Sequence, residues 1–301
     1  MTAAPASRVP SAAPAAKVAA PPRRGTAWMR GLAAQGPLFT AAVATLVLLA
    51  LCAVFAPFVA PHDPETIDLG NSLAGSDADH WLGTDQSGRD VLSRLIHGAR
   101  TGLLGPLLVV AVSTVLGTAL GLVAAWRGGW VDSLLSRTMD ALFAFPAMLL
   151  AILCVAVFEA GLTAPVIAMT VAYTPYVGRY VRSVAVQEKA RPYIESYRVQ
   201  GWSAWSVTTR HLLPNITPNI VAQSTVSFGY ALMELAGLSF LGFGVQPPTA
   251  DWGTMVNEGQ GAILKDAFMP ALAPCAAIVV AVVAFGIVGE GISDRIAKRE
   301  R

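Results

Sequence analysis

Six apolar runs, each near the length that crosses a bilayer, constrain this chain more than any other feature. About 20 apolar residues are needed to cross a hydrocarbon layer of roughly 30 Å. Runs of that order lie near 38–60, 101–126, 136–158, 162–182, 217–243 and 270–291. In lipid the backbone must satisfy its own hydrogen bonds, so runs of this kind become helices. Composition agrees, because 54% of the 301 residues are hydrophobic and 13% charged, about half the charged share of an average soluble domain. The expected fold class is an all-α membrane protein with six transmembrane helices.

The basic residues set the orientation. Of the 21 Lys and Arg, 17 fall in the N-terminal tail, the 127–137 turn, the 179–215 segment and the C-terminus, and only Arg89, Arg94, Arg100 and Lys265 fall on the opposite side. By the positive-inside rule both termini and the 179–215 segment are cytoplasmic. A net charge of +2 gives no reason to expect a nucleic-acid partner. The Ala/Pro-rich start has too few bulky apolar residues for a core and reads as a disordered tail over 1–37. The run after it is too long for a signal peptide and leads into Pro57 and Pro61 without a small-x-small cleavage pattern, so it reads as an uncleaved first span. The chain then divides into a first span with an outer segment over 38–100 and a core membrane domain over 101–296, which carries a polar loop over 188–214.

That loop, EKARPYIESYRVQGWSAWSVTTRHLLP, is the one long polar segment between apolar runs that reads as two helices. Tyr193 and Tyr197 share a face at i,i+4 before Gly201, and Trp202, Trp205 and Leu212 form a second stripe after it. The pattern predicts two short amphipathic helices joined at the glycine, the second capped by Ser203 and ended by Pro214. Projecting from a membrane domain, such a hairpin suits a lever gripped by another protein.

Small residues at Gly98/Gly102 and Gly117/Gly121 predict close helix approach around the second span. Pro146, Pro165 and Pro175 interrupt or start the third and fourth spans. Four acids fall in or beside the spans, Asp140, Glu159, Glu234 and Glu290. Glu234 lies deepest, and an acid there is a candidate for a pathway or gating role because its burial needs a partner or water. The outer segment 61–100 is acidic in its first half, with turn signals at Asp63-Pro64 and Gly83-Thr84 and a short helix expected from Asp90. Composition leaves open whether it is more than a solvated loop.

The chemistry of a catalyst is missing. No G-x-x-x-x-G-K-[ST] phosphate loop, H-E-x-x-H or G-x-S-x-G occurs. His62, His80, His97 and His211 stand apart in sequence, and Cys52, Cys154 and Cys275 lie in separate apolar runs, so neither a metal ligand set nor a disulfide is expected. The chain is expected to be a non-enzymatic subunit with no cofactor of its own.

A family pattern then becomes visible. Glu195-Ser196-Tyr197-x-x-x-Gly201, nine residues, then His211-Leu212-Leu213-Pro214 resembles the E-A-A-x-x-x-G-x9-I-x-L-P loop of permease subunits in binding-protein-dependent ABC importers. His80-Trp81-Leu82-Gly83-Thr84-Asp85, Gly88-Arg89-Asp90 through Arg94, Gly128-Gly129-Trp130-Val131-Asp132, and Leu238 through Pro248 with Asp251-Trp252-Gly253 are similar to the C-type permease of the dipeptide/oligopeptide/nickel branch. The likeness covers residues 38 to 296 in order. Ser196 and Tyr197 stand in place of two alanines, Gln200 in place of leucine, Gly286 and Glu290 in place of asparagine and aspartate, and Pro274-Cys275 in place of Pro-Gly.

The resemblance implies a type I importer permease in the bacterial inner membrane. Its expected partners are a second permease, two ATPase subunits that bind ATP and Mg, an extracytoplasmic substrate-binding protein, membrane lipid and a peptide substrate. Glu195, Ser196, Tyr197, Gly201, His211, Leu213 and Pro214 would form the ATPase-coupling loop. Glu195 would set that loop against the ATPase or orient the hairpin, Gly201 would allow the bend, and Leu213 and Pro214 would close the docking helix. The alternatives are a permease for nickel or another small solute in the same branch and, in a different class, a secondary transporter.

Overall fold

A computed structural model describes residues 36–158 and 161–299. The tail reading and Glu159 therefore lie outside or almost outside the described residues. Ten α-helices follow in order: α1 (Pro37–Val59), α2 (Val91–Arg127), α3 (Gly129–Phe143), α4 (Ala147–Phe158), α5 (Thr163–Lys189), α6 (Pro192–Val199), α7 (Ala204–Val207), α8 (Leu213–Phe240), α9 (Trp252–Ile263) and α10 (Met269–Arg299). There is no strand among the described residues, only an isolated bridge between Thr84 and Asp90.

Among the described residues three helices, α1, α2 and α10, are long and apolar enough to cross a membrane, or up to four if the bent pair α3 and α4 counts as one span. Those two are bent by 76° at the break that contains Pro146, where the missing N–H and the ring of proline disfavour a continuous helix. Pro175, in contrast, sits inside α5, which runs through it. With 27 and 28 residues, α5 and α8 have the length to span, but their polar residues lower the hydropathy. These two helices pack inside the bundle, α5 against α2 and α8 against α10, so lipid-facing apolarity is not required along their whole surface.

Helices α2 and α5 approach each other closely. A Cβ on Gly117 would lie 2.7 Å from the Val177 Cβ, and one on Gly121 would lie 2.6 Å from the Gly178 carbonyl oxygen. Glycine is required here by space, which gives the second glycine pair a specific partner. The first pair accommodates an aromatic ring instead: a Cβ on Gly98 would meet the Trp252 indole at 2.8 Å. Trp252 is 2% exposed and donates its indole N–H to the Leu95 carbonyl at 2.9 Å. Helix α9, which has no counterpart among the six apolar runs, is thus pinned to the N-terminal part of α2.

Two differences in span limits follow from the same forces. Helix α2 starts ten residues before the apolar run, because Asp90 accepts the Ser93 N–H at 2.7 Å and caps it in the outer segment. At the other end of the chain α10 continues to Arg299, past the end of its apolar run.

Candidate functional site

The 188–214 hairpin has a core of its own. Ile194, Val207 and Leu212 are at most 1% exposed and pack with Val181, Ile216 and their neighbours at the ends of α5 and α8. Burying each of these side chains is worth about 1.5–3 kcal/mol, so the hairpin is fastened to the two long helices. Helix α6 ends at Gln200 in a reciprocal pair of backbone bonds, Trp202 N–H to the Tyr197 carbonyl at 3.1 Å and Gly201 N–H to the Arg198 carbonyl at 3.0 Å. Gly201 has φ +79°, the left-handed conformation that this helix ending requires and glycine adopts without a Cβ penalty. A Cβ there would meet nothing within 4 Å, so the constraint at Gly201 is conformational and not one of packing.

The second arm departs from expectation. Ser203 does cap α7, accepting the Ser206 N–H at 3.2 Å. Pro214, however, does not end the helix. A five-residue π turn, Thr208–Leu212, joins α7 to α8, and Pro214 occupies the first turn of α8. The wider turn makes room for a proline that cannot donate to residue i−4. Leu213 is half-buried against the hairpin core, and Pro214 is exposed.

Aromatic residues fill the space between the arms. Tyr197 stacks on His211, and Trp202 meets Tyr197 edge-on at 5.4 Å and His211 at 5.6 Å. The large Tyr197 side chain is therefore a packing element. The Trp stripe divides: Trp202 joins this cluster, Leu212 is buried, and Trp205 is 78% exposed. Together with Val199, at 81%, Trp205 leaves an apolar surface at the tip. Glu195 and Ser196 are exposed on α6. Ser196 donates to the Pro192 carbonyl at 3.2 Å, and Glu195 pairs with Arg198 at 3.4 Å, a surface pair worth about 0–1 kcal/mol.

Sequence reasoning missed the residue that ties the hairpin base together. The carboxylate of Glu188, 6% exposed, accepts from the Tyr193 hydroxyl at 2.7 Å, pairs with Arg191 at 2.9 Å and accepts from the Asn215 amide at 3.4 Å. It thereby joins the end of α5 to the starts of α6 and α8. Burial, with help from the Glu188 hydrogen bond, pushes the Tyr193 phenol up. Beside it the Lys189 ammonium donates to the carbonyls of Ala125 and Trp126 at 2.8 and 3.0 Å, closing the end of α2. Burial, and then the charge of Arg198, lowers the Lys189 pKa. The spacing of Glu188 from Tyr193 carries no helical signal, because Pro192 breaks the chain between them.

Within the bundle Glu234 is half-buried and accepts the Tyr173 hydroxyl at 3.2 Å. Among the described residues it is the only charged one lining a cavity of about 400 Å³ whose other walls include Phe143, Phe145, Tyr176 and Tyr230. The other two described acids behave differently, since Asp140 is exposed and pairs with Arg179 at 3.3 Å, and Glu290 is exposed.

The 61–100 segment is built, not loose. Arg89 and Arg94, 6% and 1% exposed, both bond to Asp85, with Arg89 Nε at 2.7 Å. They reach across to Glu258 on α9 at 2.9 and 2.7 Å. Buried charges of this kind need such pairing. In the sequence the two arginines register in a charge count and in the Gly88–Arg94 motif, but their pairing with Glu258 does not show, because that partner is more than 160 residues away.

Among the described residues an all-helical domain with helices long and apolar enough to cross a membrane, a fastened polar hairpin and a cavity inside the bundle has the make-up of an integral membrane protein. Residues 117–301 match the family described as "Binding-protein-dependent transport system inner membrane component", and residues 35–75 match "N-terminal TM domain of oligopeptide transport permease C". The chain is 36% identical over 246 residues to the dipeptide transport system permease protein DppC of Alkalihalophilus pseudofirmus, covering 82% of this chain and 81% of the relative. It is 37% identical over 270 residues to the glutathione transport system permease protein GsiD of Pectobacterium atrosepticum, with 89% of each covered. It is 33% identical over 258 residues to the probable D,D-dipeptide transport system permease protein DdpC of Escherichia coli, with 86% of each covered. The chain belongs to the inner-membrane permease family of binding-protein-dependent transport systems, as a C-type member. Membership sets the secondary-transporter alternative aside.

Proposed function

We propose that this chain forms half of the translocation pathway of an ATP-driven peptide importer and receives its power stroke through the 188–214 hairpin. The observation that carries the reading is the hairpin itself: its inner residues Ile194, Val207 and Leu212 are buried, while its tip presents Val199 and Trp205 to the outside. A rigid base and an apolar tip are what a docking lever requires, and no phosphate loop occurs in the chain to bind ATP directly. Two ATPase subunits carrying ATP and Mg, a second permease and an extracytoplasmic binding protein complete the assembly. Glu195, Ser196, Gly201 and Pro214 shape the docking face, and Tyr197, His211 and Leu213 support it from within.

In this reading six spans cross the plasma membrane of a bacterium with both termini cytoplasmic. The tail covers 1–37, the first span and outer segment 38–100, and the permease core 101–296. Names of the relatives support a short peptide as the transported solute. Glu234 faces the cavity as a carboxylate suited to the ammonium of such a peptide. ATP closes the ATPase pair, the two hairpins move together, and the bundle passes between two arrangements; coupling of this kind needs contacts that differ between the states.

Reconstitution tests it. Proteoliposomes holding both permeases and the ATPases, supplied with binding protein and ATP, are expected to accumulate labelled dipeptide, and omission of the ATPases is expected to abolish it. Uptake by this chain alone would sink the proposal.

A further inference from the structure

Four histidines stand apart in the sequence, but folding brings two of them together. His62 follows the end of α1, His80 lies in the outer segment and Asp90 caps α2. One ligand atom from each lies within 4.8 Å of the other two. His80 Nδ1 is 3.0 Å from Asp90 Oδ1, His62 Nδ1 is 3.9 Å from Asp90 Oδ2, and the two rings are 4.9 Å apart. We propose that His62, His80 and Asp90 form a binding site for a divalent transition-metal ion of the Zn²⁺ type, which clamps the exit of α1 to the start of α2.

The local geometry favours a ligand over a simple hydrogen-bonded cluster. The His80–Asp90 pair is within hydrogen-bond range, but the His62 ring at 3.9 Å is beyond it. A tetrahedral ion with ligands near 2.0–2.2 Å holds ligand atoms roughly 3.3–3.5 Å apart; His80 lies 3.0 Å from one oxygen of the Asp90 carboxylate and His62 3.9 Å from the other, with one ligand atom of each residue within 4.8 Å of the rest. Small shifts of the half-exposed His62 ring would close the set. The backbone is already placed, since the His62 N–H donates to Ser93 Oγ at 3.0 Å. Asp90 is 1% exposed at its side chain and is oriented by the Ser93 N–H at 2.7 Å, the kind of outer hydrogen bond that fixes a ligating carboxylate.

The surroundings favour a cation. A cavity of about 290 Å³ borders His62, His80 and Asp90, and Asp63, Asp68 and Asp79 line it without a Lys or Arg. Its volume leaves room for a water in the fourth position. Two imidazoles select Zn²⁺ or a similar ion over Ca²⁺ and Mg²⁺, which take oxygen ligands. The three residues come from the end of one long helix, the loop and the cap of the next, so the bound ion would brace the outer segment.

Zn²⁺ titration of the full-length chain, purified in detergent without a histidine tag together with the subunits that accompany it and stripped with chelator, tests the proposal. In competition with a chromogenic chelator the wild type is expected to bind one more Zn²⁺ per copy of this chain than His62→Ala. The variant's affinity at the site should fall by more than the roughly 10–100-fold that follows from losing a group that merely orients a ligand. Zn²⁺, but not Mg²⁺, should raise the thermal unfolding midpoint of the wild type and leave His62→Ala unmoved. The variant removes an exposed ring and keeps the backbone bond to Ser93, so it should fold. His80→Ala, if it folds, should behave the same way. Equal Zn²⁺ stoichiometry and affinity in wild type and His62→Ala, or no binding by either, would overturn the site.

Discussion

The ring of Tyr197 lies on that of His211, with centroids 4.0 Å apart and planes 20° apart. The two residues come from opposite arms of the hairpin, and the π turn that carries His211 also admits Pro214 into α8. The bulky Tyr197 side chain thus closes the hairpin. Ring pairs of this kind contribute about 0.5–1.5 kcal/mol beyond the area they bury. Tyr197→Ala is expected to loosen the hairpin, which limited proteolysis between 195 and 210 would detect as faster cleavage, and to reduce uptake. Tyr197→Phe keeps the ring and should resemble wild type; equal cleavage of the alanine variant would show the stack to be incidental.

Gly201 is held at φ +79° with open space where a Cβ would stand. The cost of substitution is therefore set by backbone conformation and should rank accordingly. Asparagine tolerates this region and should retain most transport, whereas valine should cost about 1–2 kcal/mol or more. Uptake by the two variants, normalised to the amount of permease in the membrane, measures the ranking. If both were equally inactive, the docking surface at Gly201 would matter more than the bend.

Asp251 is buried and caps α9, accepting the N–H groups of Gly253 and Thr254 at 3.1 and 3.2 Å. Burial pushes its pKa up, partly opposed by these hydrogen bonds. An acid whose folded pKa is raised binds its proton more tightly when folded. Its stabilising contribution is complete below the unfolded value of 3.8 and is lost as pH rises through the raised folded value. Asp251→Asn keeps the capping oxygen without the charge and should unfold at a higher temperature than wild type at pH 7. The difference should narrow as the pH is lowered toward 4. A variant less stable than wild type at pH 7 would mean that the ionised form is paired by something beyond these bonds.

Glu234 and Tyr173 share a hydrogen bond beside the aromatic cavity. With no other charge in that wall, Glu234→Ala is expected to slow uptake of dipeptides with a free amino terminus by at least about tenfold, the equivalent of 1.4 kcal/mol. N-acetylated dipeptides, if carried, should be affected much less. Unchanged uptake of both would return Glu234 to a structural role.

Much of the architecture is legible in the residues, for definite reasons. Apolar length locates α1, α2 and α10 because lipid contact demands it, and Pro146 marks the 76° break between α3 and α4. Ser203 announces its cap because the interaction is local. What the sequence conceals is non-local. Glu258 reaches Arg94 across 164 residues, Glu188 joins three helix ends, and His62 meets His80 only when the outer segment folds back. Helix α9 is hidden because 12 residues that pack on α10 and α2 need not be apolar all round. Pro214 misleads for a related reason: a proline stops a regular helix, but a π turn just before it lets the chain continue.

The central claim is that the hairpin tip is the surface through which the ATPases act. A single cysteine at Gln200, exposed at the end of α6, in a chain whose three native cysteines are replaced by serine, measures this most directly. In membranes containing the assembled transporter, a short bifunctional reagent is expected to join Gln200→Cys to an ATPase subunit, with a yield that changes on ATP addition and with loss of uptake in the joined fraction. Absence of any such adduct in a transporter that still imports, or full import by the joined form, would contradict the account.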